Sequence, residues 1–265
     1  MVYLGLDQAV ILYGYDVVKT VLVDRGQEFL DRGSFPTSNK SNGELGIFMS
    51  NGERWAQLRR FSLTTLRNFG MGKKSLEERI QEEAQHLVEA LRARKARIHE
   101  EIDRVVGKVR PPAMKDRSQM PYTEAAIHEA QRFLDLIPLG FVRMARQDVQ
   151  LAGFTIPKGA TIYPILSSVL NDPKQYKNPS RFDPEHFLDE NGDFKKSSAD
   201  MPFSAGKRNC LGEGLARMEL FLFLTTILQS FRLMHPPGVA QINLTPEVSG
   251  VGHIPRQASF CFCPR

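Results

Sequence analysis

The sequence predicts a mainly α protein with a minor β-sheet, an α+β fold. Long stretches free of Gly and Pro recur, among them 73–106 and the run after Gly214. Within 80–105 the apolar residues Ile80, Ala84, Leu87, Leu91, Ile98, Ile102 and Val105 keep a four-three rhythm, the period of one helix face. Short segments rich in β-branched and aromatic residues, bounded by turn residues, occur near the start, around 149–163 and near the end.

The elements follow in order. Val2–Leu6 and Ala9–Leu12 read as strands, followed by a helix over Tyr15–Asp24. Phe35 to Asn51 is rich in Ser, Asn, Gly and Pro and reads as loop. A helix over Glu53–Arg67 ends at the Gly70-Met71-Gly72 break. The helical stretch 73–106 loses its apolar seam at Arg92, Arg94, Lys95 and Arg97. A coiled coil wants apolar residues there, so the interruption is better explained as a join between two unrelated helix halves. After Pro111-Pro112 come a helix over Tyr122–Leu134 and strands at Val149–Leu151, Phe154–Ile156 and Thr161–Tyr163, the last two turning at Pro157-Lys158-Gly159. Residues 171–200 are loop-rich, a helix spans about Gly212–Phe231, and 242–262 read as hairpin strands. The minor sheet is expected to draw on both ends of the chain.

At 265 residues the chain can form one large domain or two small ones. Three cysteines make no disulfide framework, and Cys261 and Cys263 alternate in one strand, which reads as a reduced, intracellular protein. A net charge of +5 suits an acidic protein partner or an anionic membrane surface. No DNA-reading motif or aromatic-plus-basic repeat is present, so no nucleic-acid partner is expected. The amino terminus shows no signal-peptide pattern, and the most apolar stretch, Leu220 to Leu224, is far short of a bilayer span, so no membrane anchor is expected in this chain.

The segment "PFSAGKRNCLG", Pro202 to Gly212, concentrates the chemistry. Thiolate is the metal-binding form of cysteine, favoured by helix N-termini and nearby cations. Cys210 follows Lys207 and Arg208 and precedes a helix. Gly206 permits a tight turn that aims backbone N–H groups at sulfur, and Gly212 lets a flat ligand lie against the helix start. Phe203 shields the sulfur. A lone cysteine is more often a buried structural residue. Here Phe203, Gly206, Arg208, Cys210 and Gly212 are fixed together within ten positions, which reverses those odds.

These residues resemble the haem-binding loop of the cytochromes P450. The resemblance makes Cys210 the axial thiolate on the iron of haem b and Arg208 a propionate partner; a thiolate ligand favours O–O cleavage. Trp55-Ala56-Gln57-Leu58-Arg59 is similar to the family's helix that donates to the propionates, which implicates Trp55 and Arg59, and Arg143 aligns with a further contact. Gly43 falls where several relatives carry a basic contact, which would be lost here. Glu129 and Arg132, at i,i+3 on one helix face, match the family's structural pair, with His186 of Pro184-Glu185-His186-Phe187 as the third polar member. Two other Glu-x-x-Arg matches, at Glu89 and Glu101, read as surface pairs. By the same resemblance Ile137, Leu139, Gly140, Phe141 and Val251 face the substrate.

"PYTEAAIHEAQRF" and "NGERWAQLRRFSLTTLRNFG" resemble the microsomal family 2 enzymes, and the likeness covers Val2 to Arg265 in two blocks, 1–93 and 95–265. The chain is therefore expected to form a single incomplete domain, a partial cytochrome P450 fold. The skipped portion would carry the central helix whose acid and alcohol deliver protons during oxygen activation. Thr64-Thr65 and Thr225-Thr226 lack the acidic residue and glycine that precede that alcohol, so no catalytic residue is assigned. The resemblance implies a monooxygenase acting on lipophilic small molecules, with electrons from NADPH through NADPH–cytochrome P450 reductase. Cytochrome b5 is a further implied partner, and the cytosolic face of the endoplasmic reticulum membrane the implied location. Arg59, Arg60, Lys73, Lys74 and Lys207 are the candidate reductase-docking cations. The alternative is a truncated, catalytically inactive isoform that binds haem or competes for reductase, and a third reading is a helical interaction protein built on 73–106.

Overall fold

The computed structural model describes residues 2–4, 7–33, 46–68, 95–234, 248–249, 252–254 and 260–265. Val251, Gly43, Lys73, Lys74 and the first two-thirds of the 73–106 stretch lie outside the described residues.

Strands β1 (Val2–Leu4) and β2 (Asp7–Leu12) form an antiparallel pair. Helix α1 (Tyr15–Lys19) follows and continues as a wider turn of helix through Thr20–Asp24. A short helix α2 (Gly46–Met49) stands where only loop is expected, and α3 (Gly52–Asn68) follows with Trp55 buried. Helix α4 (Lys95–Val105) includes the last two residues of the charged interruption, Lys95 and Arg97, and has Ile98 and Ile102 wholly buried four residues apart. Helix α5 (Pro121–Leu134) opens with proline at its first position and ends on the left-handed Asp135, at φ 44°.

The sheet departs from the sequence expectation first in the pairing of its middle strands. Strand β4 (Val149–Leu151) pairs with β5 (Phe154–Ile156) through a tight turn at Ala152-Gly153, both at positive φ. Strand β6 (Thr161–Pro164) does not return along β5. It runs parallel to β2 and antiparallel to β3 (Arg143–Met144), giving the order β1-β2-β6-β3. The Pro157–Gly159 turn redirects the chain because Gly159 N–H donates to Ala145 O (2.8 Å) and Lys158 N–H to Asp148 Oδ1 (2.7 Å).

The long helix α7 (Glu213–Ser230) is apolar around most of its circumference and correspondingly buried. Thr225 there donates its hydroxyl to Phe221 O (2.7 Å), an ordinary helix contact. Strand β7 (Phe231–Met234) pairs with the terminal strand Cys261–Pro264, and Val248–Ser249 pairs with His253–Ile254. Among the described residues the four-stranded sheet is thus built from the amino terminus and 143–164, and the carboxy-terminal strands do not join it.

Two cores result. One packs the sheet against α1 and a short helix α6 (Leu166–Leu170), through Leu12, Val18, Leu22, Ile162 and Val169. The other packs α4, α5 and α7 through Ile98, Ile102, Ile127, Phe221 and Leu222. Helix α5 serves both, with Ala125 in the first and Ala126 in the second. The cysteine loop packs against the first through Ala205 and leads into α7 of the second.

Candidate functional site

The loop Pro202–Gly212 is coiled by two left-handed residues, Ser204 (φ 63°) and Gly206 (φ 71°). Its own backbone closes it: Ser204 N–H donates to Met201 O, Asn209 N–H to Gly206 O, and Cys210 N–H to Phe203 O at 2.9 Å. The expectation that Gly206 merely permits a turn understates its constraint. A Cβ there would lie 1.8 Å from the Leu22 carbonyl oxygen, so the loop seats against α1's extension only because the residue is glycine. Gly212 is the reverse case: a Cβ would meet no protein atom within 4 Å, and the residue borders a cavity. Cys210 is exposed at the start of α7.

That cavity, about 460 Å³, is lined by Phe48, Trp55, Leu136, Ile137, Phe141 and Leu166, with Cys210 and Phe203 from the loop. Among the residues expected to face substrate, Ile137 and Phe141 line it. Leu139 is exposed and Gly140 sits under the Pro164 carbonyl, where a Cβ would lie 2.5 Å from its oxygen; neither is part of the lining.

Three guanidinium groups, those of Arg32, Arg59 and Arg208, line its edge, and that of Arg143 stands close enough to feel their charge. Arg208 donates to Leu30 O (2.9 Å), Ser50 O (2.7 Å) and Asn51 Oδ1 (3.1 Å), and lies 4.0 Å over the Trp55 ring. Arg59, one turn beyond Trp55, grips the cysteine loop through Asn209 O (3.1 Å) and Oδ1 (2.7 Å). Arg143 on β3 reaches Ser204 Oγ (3.4 Å). Arg32 was not singled out in the sequence; it donates to Phe48 O, Phe141 O and Val142 O. Nothing in the sequence around Asp31-Arg32-Gly33 marks it, because its partners are distant in the chain.

The cluster is electrostatically unbalanced. Among the described residues none of the four forms an ion pair, and the Nη1 atoms of Arg143 and Arg208 are buried without a hydrogen-bond partner. Burial, then the charges of Arg208 and Arg59, bring the Arg32 pKa down to about 9. Burial, then Arg32, Arg208 and Arg59, hold Arg143 well below the ordinary arginine range. Arg208 falls to about 10, chiefly through burial, with Asp31 opposing. Burying cations together without an anion is unfavourable, so these residues suit a group that brings negative charge to this edge. The unpartnered N–H groups, the open space at Gly212 and the adjacent thiol fit a flat, apolar ligand with carboxylates on one edge and a soft metal-ligand contact on one face.

Two further polar clusters buttress the site. Arg132 donates through Nε and Nη2 to the two oxygens of Glu129, both at 2.7 Å, and through Nη1 to Leu170 O. Asp183 N–H and His186 Nδ1 also meet the Glu129 carboxylate, at 2.7 and 3.2 Å. The second cluster escaped sequence reading. Arg217 of α7 contacts Asp200 (3.2 Å), Glu213 (3.1 Å), Gln131 (2.7 Å) and the His128 ring (3.0 Å). His128 in turn bridges Asp200 (2.6 Å) and Glu124 (3.0 Å), and Arg117 pairs with Glu124. Of the proposed docking cations, Arg59 is committed to Asn209, whereas Arg60 and Lys207 are exposed.

The molecule is thus mainly helical with small sheets, and a cysteine loop precedes its long buried helix. The family model described as Cytochrome P450 matches residues 1–97 and again 94–262. The chain belongs to the cytochrome P450 family. It is 34% identical to cytochrome P450 2C11 of Rattus norvegicus, over 99% of this chain and 84% of that protein. It is 35% identical to cytochrome P450 2C25 of Mesocricetus auratus and 34% to cytochrome P450 2C8 of Homo sapiens, each over 99% of this chain and 86% of the relative. These likenesses make it a family 2 member and, by family, a monooxygenase with a haem-thiolate cofactor. The aligned spans, 422 to 423 positions, exceed the 265 residues of the chain, which is truncated relative to these proteins.

Proposed function

We propose that Cys210 is the axial ligand of haem b and that Arg208, Arg143, Arg59 and Trp55 receive its propionates. The observation that carries this reading is the set of buried, uncompensated guanidinium groups beside an exposed thiol at one cavity. Bound there, haem supplies dioxygen activation and insertion of one oxygen atom into a lipophilic small molecule, with electrons from NADPH through a flavoprotein reductase. The chain's own residues do the holding. Arg59 fixes Asn209, the residue before Cys210, and Gly206 seats the loop on Leu22. Ile137 and Phe141 give the cavity the apolar walls a lipophilic substrate requires. NADPH–cytochrome P450 reductase and cytochrome b5 are the corresponding partners, at the cytosolic face of the endoplasmic reticulum membrane.

A second reading has its own support. The aligned relatives span more positions than this chain has, and Thr225 spends its hydroxyl inside α7. The expected consequence is impaired turnover, leaving a truncated isoform that binds haem or competes for reductase. A carbon-monoxide difference spectrum of the reduced chain tests the shared part: a red-shifted Soret band that disappears in Cys210→Ala is expected, and an absent haem signal refutes it. Product formation with reductase, measured above the Cys210→Ala control, then decides between turnover and the inactive isoform.

A further inference from the structure

Two cysteines stand outside the haem loop, and they share one face of one strand. In the terminal strand Cys261–Pro264, Cys261 and Cys263 flank Phe262, so both side chains leave the sheet on the same side. Their Cα atoms are about 6.8 Å apart along an extended strand, with parallel Cα–Cβ bonds. That is the far limit for a disulfide, and both are free thiols. The register with β7 sets Met234 opposite Cys261 and Arg232 opposite Cys263. On the other face Leu233 is buried, and the Phe231 and Phe262 rings meet edge to face at 5.8 Å, which holds that register. On the cysteine face Met234 and Arg232 are exposed and both cysteines are half-buried, so a solute can reach it.

Three sulfur atoms gather there. Met234 stands directly across from Cys261, yet its Sδ reaches diagonally to Cys263 Sγ, at 3.4 Å. The thioether therefore touches one thiol and faces the other.

The donor set decides what this face can hold. Thiolate and thioether sulfurs are soft ligands, matched to copper(I) and mismatched to hard cations. Structural zinc takes four donors, and among the described residues no group of three or more His, Cys, Asp and Glu is placed to hold a metal. Two thiolates around a monovalent cation carry net negative charge, which Arg232 on the same face offsets. None of these residues lines the haem cavity.

We propose that Cys261, Cys263 and Met234 form a binding site for a soft monovalent cation, copper(I) in class. Binding forms two bonds from thiolate sulfur to the metal and sends both thiol protons to solvent, with no change of oxidation state. The metal then ties the terminal strand to β7 through side chains as well as backbone. This inference does not depend on the haem reading.

The test loads the full chain, reduced and under anaerobic conditions, with copper(I) against a chelating competitor. It reads the copper retained and the thiolate-to-copper charge-transfer absorbance, for wild type, Cys210→Ala, Cys261→Ser, Cys263→Ser and Met234→Leu. Wild type and Cys210→Ala are expected to retain a single copper(I) per chain, and each of Cys261→Ser and Cys263→Ser to lose it. Met234→Leu is expected to weaken binding about tenfold, the lower end of what losing a supporting contact costs a metal site. Retention unchanged in both serine variants overturns the proposal, as does loss of the copper in Cys210→Ala with retention in Cys261→Ser. An unchanged affinity in Met234→Leu removes the thioether and overturns the three-sulfur site, and tighter retention of zinc(II) than of copper(I) overturns the metal class. If Cys210→Ala does not fold, Cys210→Ser replaces it and the same outcomes decide.

Discussion

Arg132 and Glu129 form a doubly hydrogen-bonded ion pair, both contacts at 2.7 Å, in which neither side chain reaches water. The pair stands one helical turn apart on α5, the helix shared by both cores. Asp183 N–H and His186 then bind the segment 183–187 to it.

Neutralising one member leaves the other charge buried. Glu129→Gln is expected to cost about 3–5 kcal/mol, the range for breaking a buried pair. Urea denaturation of the variant against wild type measures it. A change below about 1 kcal/mol would show that water reaches Arg132 in the variant.

His186 gives this cluster a pH dependence. Burial lowers its pKa, but the hydrogen bonds to Glu129 and to Lys177 O outweigh that, and the net direction is above the ordinary 6.5. A raised folded pKa means the stabilisation is fully present below the unfolded value and is lost as pH rises through the folded one. Denaturation midpoints should therefore decline from pH 6 upward more steeply in wild type than in His186→Gln.

Glu124 predicts the opposite limb. Burial would raise its pKa, yet the hydrogen bonds from His128 and Arg117 bring it down to about 2, below the ordinary 4.5. Its contribution is present above 4.5 and disappears as pH falls toward 2. Acid unfolding of Glu124→Gln should show a shallower loss across that window.

The two loop glycines should separate stability from ligand binding. Gly206→Ala places a Cβ 1.8 Å from the Leu22 oxygen at φ 71°, so the loop must shift, at a cost of about 1–3 kcal/mol for the backbone conformation alone. Gly212→Ala meets nothing of the protein within 4 Å and is expected to change stability by less than about 1 kcal/mol while weakening haemin binding. Thermal unfolding and Soret titration on both variants check the contrast.

Arg143→Met removes a cation that is buried with one unpartnered N–H group. The ligand-free variant should be at least as stable as wild type, because an unpaired buried charge is replaced by an apolar side chain. Its haemin affinity should fall. Lower ligand-free stability would mean that the Ser204 contact outweighs the desolvation.

The sequence by itself determined the longer helices among the described residues, but not the short α2 and α6, because apolar spacing such as Ile98–Ile102 and the proline at the first position of α5 are local signals. It also determined the cysteine loop, since Phe203, Gly206, Arg208, Cys210 and Gly212 lie within ten positions. Only the tertiary structure decided where β6 pairs, because parallel pairing with β2 joins residues some 150 positions apart. It alone brought Arg32 beside Arg208 and linked His128 to Asp200 and Arg217. Those contacts are made by long side chains from separate elements, and a buried charge is defined by its surroundings rather than by its neighbours in the chain.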